Sequence, residues 1–146
     1  MVNQDYLYAI EYILVISMPT IVHFDIPADD VERSKKFYSN LFGWKIEKWP
    51  GSTGGGDIEY WTITTTDDKG NKALSGGMMK RQGPNQPIIN YIDVKSVDEY
   101  SSKVQQLGDK VHVPKMTVPG MGYLAICLDT ENNALEYGRL MKVQSK

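Results

Sequence analysis

The sequence predicts an α+β domain built as two βαβββ halves. Three observations carry that prediction. A strand, a helix and three strands run from Ile21 to Lys80, and the same succession restarts at Ile88. Each helix opens on a capping pattern, Asp29 with Glu32 and then Ser96 with Glu99, and closes on a glycine, Gly43 and then Gly108. The period of about 65 residues is too long for a solenoid repeat, which points to two halves of one domain. The plainer alternative is a generic α+β sandwich whose second helix merely resembles the first.

The elements follow in order. Ile21–Ile26 is β-branched and alternating, so it reads as a strand, which Pro27 ends. Val31, Ser34, Phe37, Tyr38 and Leu41 recur at helical spacing and form one buried face, stopped by Gly43. Trp44–Trp49 is the next strand. Pro50–Gly56 is a glycine-rich loop, read as a flexible lip; no Gly-Lys-Ser/Thr follows it, so it is not a phosphate loop. Ile58–Thr65, rich in threonine and aromatic residues, is a strand. Asp67–Asn71 turns the chain into the strand Ala73–Lys80, and residues 83–87 link the halves. In the second half Ile88–Val94 is a strand, and Val97, Tyr100, Val104 and Leu107 form a second helical face. Lys110–Val118, Gly122–Leu128 and Ala134–Met141 complete it, separated by Pro119-Gly120 and by Asp129–Asn133.

The 146 residues suffice for one core, and 41% hydrophobic with 23% charged residues is the balance of a globular protein. The net charge of -2, with Lys80-Arg81 as the densest basic pair, argues against a nucleic-acid partner. One cysteine, Cys127, permits no internal disulfide and suits a reducing, cytoplasmic setting; it reads as a small core residue rather than a nucleophile. Residues 1–17 read as an N-terminal extension, an extra strand or helix before a domain spanning 18–146. Tyr6–Ile16 is aromatic and β-branched but broken by Glu11, too short and polar to span a bilayer and without the basic start of a signal peptide. The expectation is that Met18 is the natural start; N-terminal sequencing that found Met1 or Val2 would refute it.

The run His23-Phe24-Asp25-Ile26-Pro27-Ala28-Asp29-Asp30-Val31, continuing through Phe37-Tyr38 to Leu41-Phe42-Gly43-Trp44, resembles the opening of the vicinal-oxygen-chelate (glyoxalase/bleomycin-resistance) superfamily. Asp129–Glu136 resembles that family's closing Asp-x-x-Gly-Asn-x-x-Glu hairpin. The resemblance covers about Thr20 to Met141. It implies that the two units curl into a cup of mixed sheet with the helices outside. It implies a site on the concave face, and often a divalent metal held by four side chains from the first and last strands of each unit. The implied activities are glyoxalase, dioxygenase, epimerase and fosfomycin-modifying chemistry, with drug sequestration in some members.

Carried over position by position, the first ligand falls on His23 and the last on Glu136. The second unit's first strand offers Ile89, which cannot bind metal, and Ala73–Met79 offers Gly76 and Gly77 and no carboxylate, histidine or amide. Half a metal shell survives, so a weakly bound divalent ion is the one cofactor implied. Without metal, His23 and Glu136 read as a His–carboxylate pair able to move a proton. His112, beside Pro114 on another strand, is not recruited. Tyr60, Trp61, Tyr91 and Tyr123 are the aromatic candidates, with Trp61, Tyr91 and Tyr123 expected to bind substrate and core or dimer packing as the alternative. Two functions stay open: a small-molecule lyase or isomerase acting at His23 and Glu136, or a protein that sequesters a drug-like or aromatic compound. A homodimer is expected.

Overall fold

The computed structural model describes residues 18–50, 59–118 and 122–140. The expectations for the N-terminal extension, for the glycine-rich lip and for Pro119-Gly120 lie outside the described residues.

The first half comprises β1 (Thr20–Ala28), α1 (Val31–Phe42), β2 (Lys45–Lys48), β3 (Tyr60–Thr64) and β4 (Ser75–Lys80). The second comprises β5 (Ile89–Asp93), α2 (Val97–Gln106), β6 (Val111–Val118), β7 (Gly122–Leu128) and β8 (Ala134–Leu140). One mixed sheet runs in the order β2-β3-β4-β1-β5-β8-β7-β6. β1 and β5 meet antiparallel at its centre, and each has its own half's last strand parallel on its other side. The two halves thus repeat the same topology, and the expected α+β fold is found.

β1 does not stop at Pro27 but continues to Ala28 in register with β4. Pro27 is tolerated because β5 pairs with β1 only as far as Asp25, leaving β1 a one-sided edge there. The N-cap of α1 is Asp30, not Asp29: its carboxylate accepts from the Arg33 N–H at 2.9 Å. Asp29 instead pairs with Arg81 at 3.0 Å. Gly43 closes α1 with φ +71°, and its N–H reaches the Ser39 carbonyl at 2.9 Å. Ser96 caps α2 as expected, and Gly108 follows it with φ +89°.

Each helix covers its own core on the same face of the sheet. Ile26, Val31, Ile46, Trp61, Ile63 and Met78 form one, with Phe24, Tyr38 and Trp44 packed against it. Val94, Val97, Ala125, Cys127 and Tyr137 form the other, with Ile92, Tyr100 and Val104. The buried helical stripes are narrower than the spacing suggested. Phe37 and Leu41 lie on the flank of α1 and Leu107 falls past the end of α2, so all three are exposed. Strand alternation then turns His23, Asp25, Tyr60, Gly77, Tyr91 and Glu136 to the face without helices.

Candidate functional site

A cavity of about 330 Å³ opens on that face. From the first half it is lined by His23 and Asp25 of β1, Trp49 just after β2, and Tyr60 of β3. From the second half come Tyr91 of β5, Val118 of β6, Gly122, Tyr123 and Leu124 of β7, and Glu136 of β8. The structure thus brings His23, Glu136, Tyr91 and Tyr123 together at one cavity. Trp61 is not among them: it is buried in the core under α1. The register explains this, since Trp61 lies opposite Met78, a core residue, and adjacent side chains on a strand face opposite ways. Its neighbour Tyr60 takes the place in the cavity. His112 is exposed on β6 and lines no part of it.

Tyr60 joins a compact polar cluster. Its hydroxyl donates to Asp25 Oδ1 at 2.6 Å and lies 2.7 Å from His23 Nε2, which is itself 3.1 Å from Asp25 Oδ1. Gly77 makes this reach across β4 possible. A Cβ there would lie 1.6 Å from the Tyr60 hydroxyl oxygen and 2.6 Å from Asp25 Oδ1. Burial, then the charge and hydrogen bond of Asp25, push the Tyr60 phenol well above its ordinary range, so it stays protonated and donates.

Glu136 stands beside Tyr91 across the β5–β8 pair. Burial first, then the negative charge of Asp25, pushes its carboxyl up to about 7, with His23 pulling the other way. Tyr91 is pushed up to about 12, by burial and then by Asp93 and Glu136. Its buried hydroxyl finds no hydrogen-bond partner among the described residues. Tyr123 stands at the rim, with Lys115 Nζ 4.9 Å from its ring centre. Aromatic and aliphatic walls around a few convergent polar groups make a small-molecule site. A second hollow, about 570 Å³ beside the start of α1, is lined by Arg33 and Arg81, of which Arg81 is already bonded to Asp29 and to the carbonyls of Gln86 and Pro27.

The residues present do not fit the divalent metal that the resemblance implies. Ile89 offers no donor, and the place where a side chain at 77 would stand is filled by Tyr60. Among the described residues no three His, Cys, Asp or Glu side chains are grouped to hold an ion. Asp25 was given no role by the sequence reading, and Tyr60, an aromatic candidate, was passed over as a substrate contact in favour of Trp61. Asp25 was legible as the next residue on the His23 face; Tyr60 required knowing which of two adjacent aromatics faces inward.

A sheet of two βαβββ halves, with helices on one face and a side-chain-lined cavity on the other, is the fold of the vicinal-oxygen-chelate class, and the comparisons support the resemblance to that superfamily. Residues 20–52 match the family described as bleomycin resistance protein-like N-terminal. The chain is 29% identical over 112 residues to "Putative glyoxylase CFP32" of Mycobacterium bovis and to its Mycobacterium tuberculosis counterpart. The match covers 76% of this chain and 42% of each of those proteins, so the chain spans less than half the length of these curated relatives. The fold is shared with a methylmalonyl-CoA epimerase in complex with methylmalonyl-CoA (TM-score 0.63, 13% identity, covering 89% of this chain and 100% of that one). It is shared too with a glyoxalase/bleomycin resistance protein/dioxygenase superfamily member from Vibrio splendidus (TM-score 0.59, 9% identity, 84% of this chain and 99% of that one).

Proposed function

We propose that the chain is a glyoxalase-like lyase or isomerase that moves a proton at a carbon next to a carbonyl group in a small molecule. The observation that carries this reading is Glu136: a carboxyl whose pKa is pushed up to about 7 in a largely apolar cavity that His23 also lines. A general base works best when its pKa lies near the operating pH. In the proposed step the Glu136 carboxylate takes the proton from carbon. The C–H electron pair moves into the carbonyl to give an enolate, and the same carboxyl returns the proton to that carbon or its neighbour. A donor of the cavity wall, the Tyr91 hydroxyl, which has no partner among the described residues, stands ready for the developing oxygen charge. The epimerase and glyoxylase names among the relatives support this class of chemistry.

The test is deuterium exchange in D2O, followed by proton NMR on methylmalonyl-CoA and on simple ketones. Wild type should exchange the proton beside the carbonyl, at a rate that rises through about pH 7. Glu136→Gln should lose roughly a hundredfold or more, and His23→Ala should lose activity with folding retained. The second reading, sequestration without turnover, draws on the walls formed by Trp49, Tyr91, Val118, Tyr123 and Leu124. Tight binding of aromatic compounds with no exchange on any probe would favour it. A homodimer belongs to the proposal, drawing on exposed Phe37, Leu41 and Phe42; a monomer mass by light scattering would refute that part. A cytoplasmic setting is proposed on the lone, free Cys127. No helix among the described residues is long and apolar enough to cross a membrane.

A further inference from the structure

Gly77 holds a position with a counterpart in the other half. It pairs with Asp25 across β1 and β4, as Glu136 pairs with Tyr91 across β5 and β8. Asp25 and Tyr91 stand equally far ahead of Val31 and Val97, the first residues of the two helices. A side chain at 77 would thus enter the cavity from the first half as Glu136 enters it from the second. The phenol of Tyr60 fills that volume instead.

The hydrogen bonds of that phenol determine which nitrogen of His23 carries a proton. A tyrosine hydroxyl has one proton, and here it goes to Asp25 Oδ1 at 2.6 Å. The 2.7 Å contact between the same oxygen and His23 Nε2 then needs a proton on Nε2. The 3.1 Å contact of Nε2 with Asp25 Oδ1, an acceptor, needs it as well. Nε2 is therefore a donor, and its lone pair is not available to an ion.

We propose that Tyr60, seated over Gly77, is a positioning residue that replaces a metal ion: with Asp25 it fixes His23 as the Nε2–H form, and the cavity works without a bound cation. This deepens the proton-transfer reading and rests on its choice of cavity, but its test does not pass through turnover. Co2+, Zn2+ and Mn2+ are titrated into the full chain by calorimetry, and 15N NMR reads the two ring nitrogens of His23 in wild type and in Tyr60→Phe. The expected result is no saturable metal binding up to roughly millimolar ion. Wild-type Nε2 should give a protonated-type shift, and Tyr60→Phe, which keeps the ring, should move the His23 nitrogens toward a mixture of tautomers. Stoichiometric binding of any of the three ions would overturn the proposal. So would an unprotonated Nε2 in the wild type, or a His23 spectrum identical in Tyr60→Phe. A wild type that exchanges deuterium but binds metal sinks this inference alone. A metal-free, Nε2-protonated wild type with no exchange sinks the proton-transfer reading alone.

Discussion

Glu136 is the residue whose chemistry depends most on its neighbours, and that dependence can be read as stability. Its carboxyl is raised from 4.5 to about 7, chiefly by burial. The folded chain therefore holds this proton more tightly than the unfolded chain does. As pH rises from about 4.5 to about 7, the unfolded state loses the proton first, so this group's contribution turns against folding across that window. Above the window the whole cost is present, at most roughly 3 kcal/mol. Glu136→Gln should accordingly raise the urea midpoint at pH 8 and change it little at pH 4; equal shifts at both would refute the burial argument. At this scale the sequence was informative where one side chain's parity followed from its own strand, as for His23, Tyr91 and Glu136. It was misleading where parity depended on a partner strand. Tyr60 and Trp61 are adjacent, and only the pairing of β3 with β4 decides that Trp61 goes to the core and Tyr60 to the cavity. The Tyr60–Asp25 bond joins residues far apart in the chain, so no local pattern announces it.

At the level of elements, the two halves share more than their helices. The turns after β3 and before β8 are built alike. Asp67 accepts from the N–H groups of Lys69 and Asn71, and Asp129 from those of Glu131 and Asn133, while each asparagine amide reaches back to its aspartate. The fourth residue of each turn has positive φ, Gly70 at 81° and Asn132 at 64°. Both turns were legible as turns, but their equivalence lies in side-chain bonds that composition does not display. Element ends were read less well than element identities, because the ends depend on which of several capable side chains wins the cap. Asp29 and Asp30 are chemically alike; Asp29 is drawn to Arg81, and Asp30 is left to cap α1. The assignment predicts a difference between two conservative changes. Asp30→Ala should cost about 1 kcal/mol of unfolding free energy. Asp29→Ala, which removes one exposed ion pair, should cost clearly less. Equal losses in urea titrations of the two variants would place the cap wrongly.

At the scale of the whole molecule, the site exists only because the two halves share a sheet. His23, Asp25 and Tyr60 come from the first half, and Tyr91 and Glu136 from the second. The seam between them is the antiparallel pairing of β1 with β5, at the centre of the sheet and directly beneath the cavity. Each helix nevertheless covers a separate core, so the halves could in principle melt one after the other. The seam argues against it. Releasing either half would strip one side of the central strand of the other and leave unpaired backbone groups along a buried edge. A single cooperative transition is therefore expected. The chain carries its own probes for this. Its tryptophans, Trp44, Trp49 and Trp61, all lie in the first half, and its one cysteine, Cys127, is buried in the second. Tryptophan fluorescence and pulsed thiol labelling through a urea titration should give the same midpoint and slope. Labelling of Cys127 at a urea concentration where the fluorescence is still native would show that the second half opens alone, and that the cavity is a contact between two units rather than part of one.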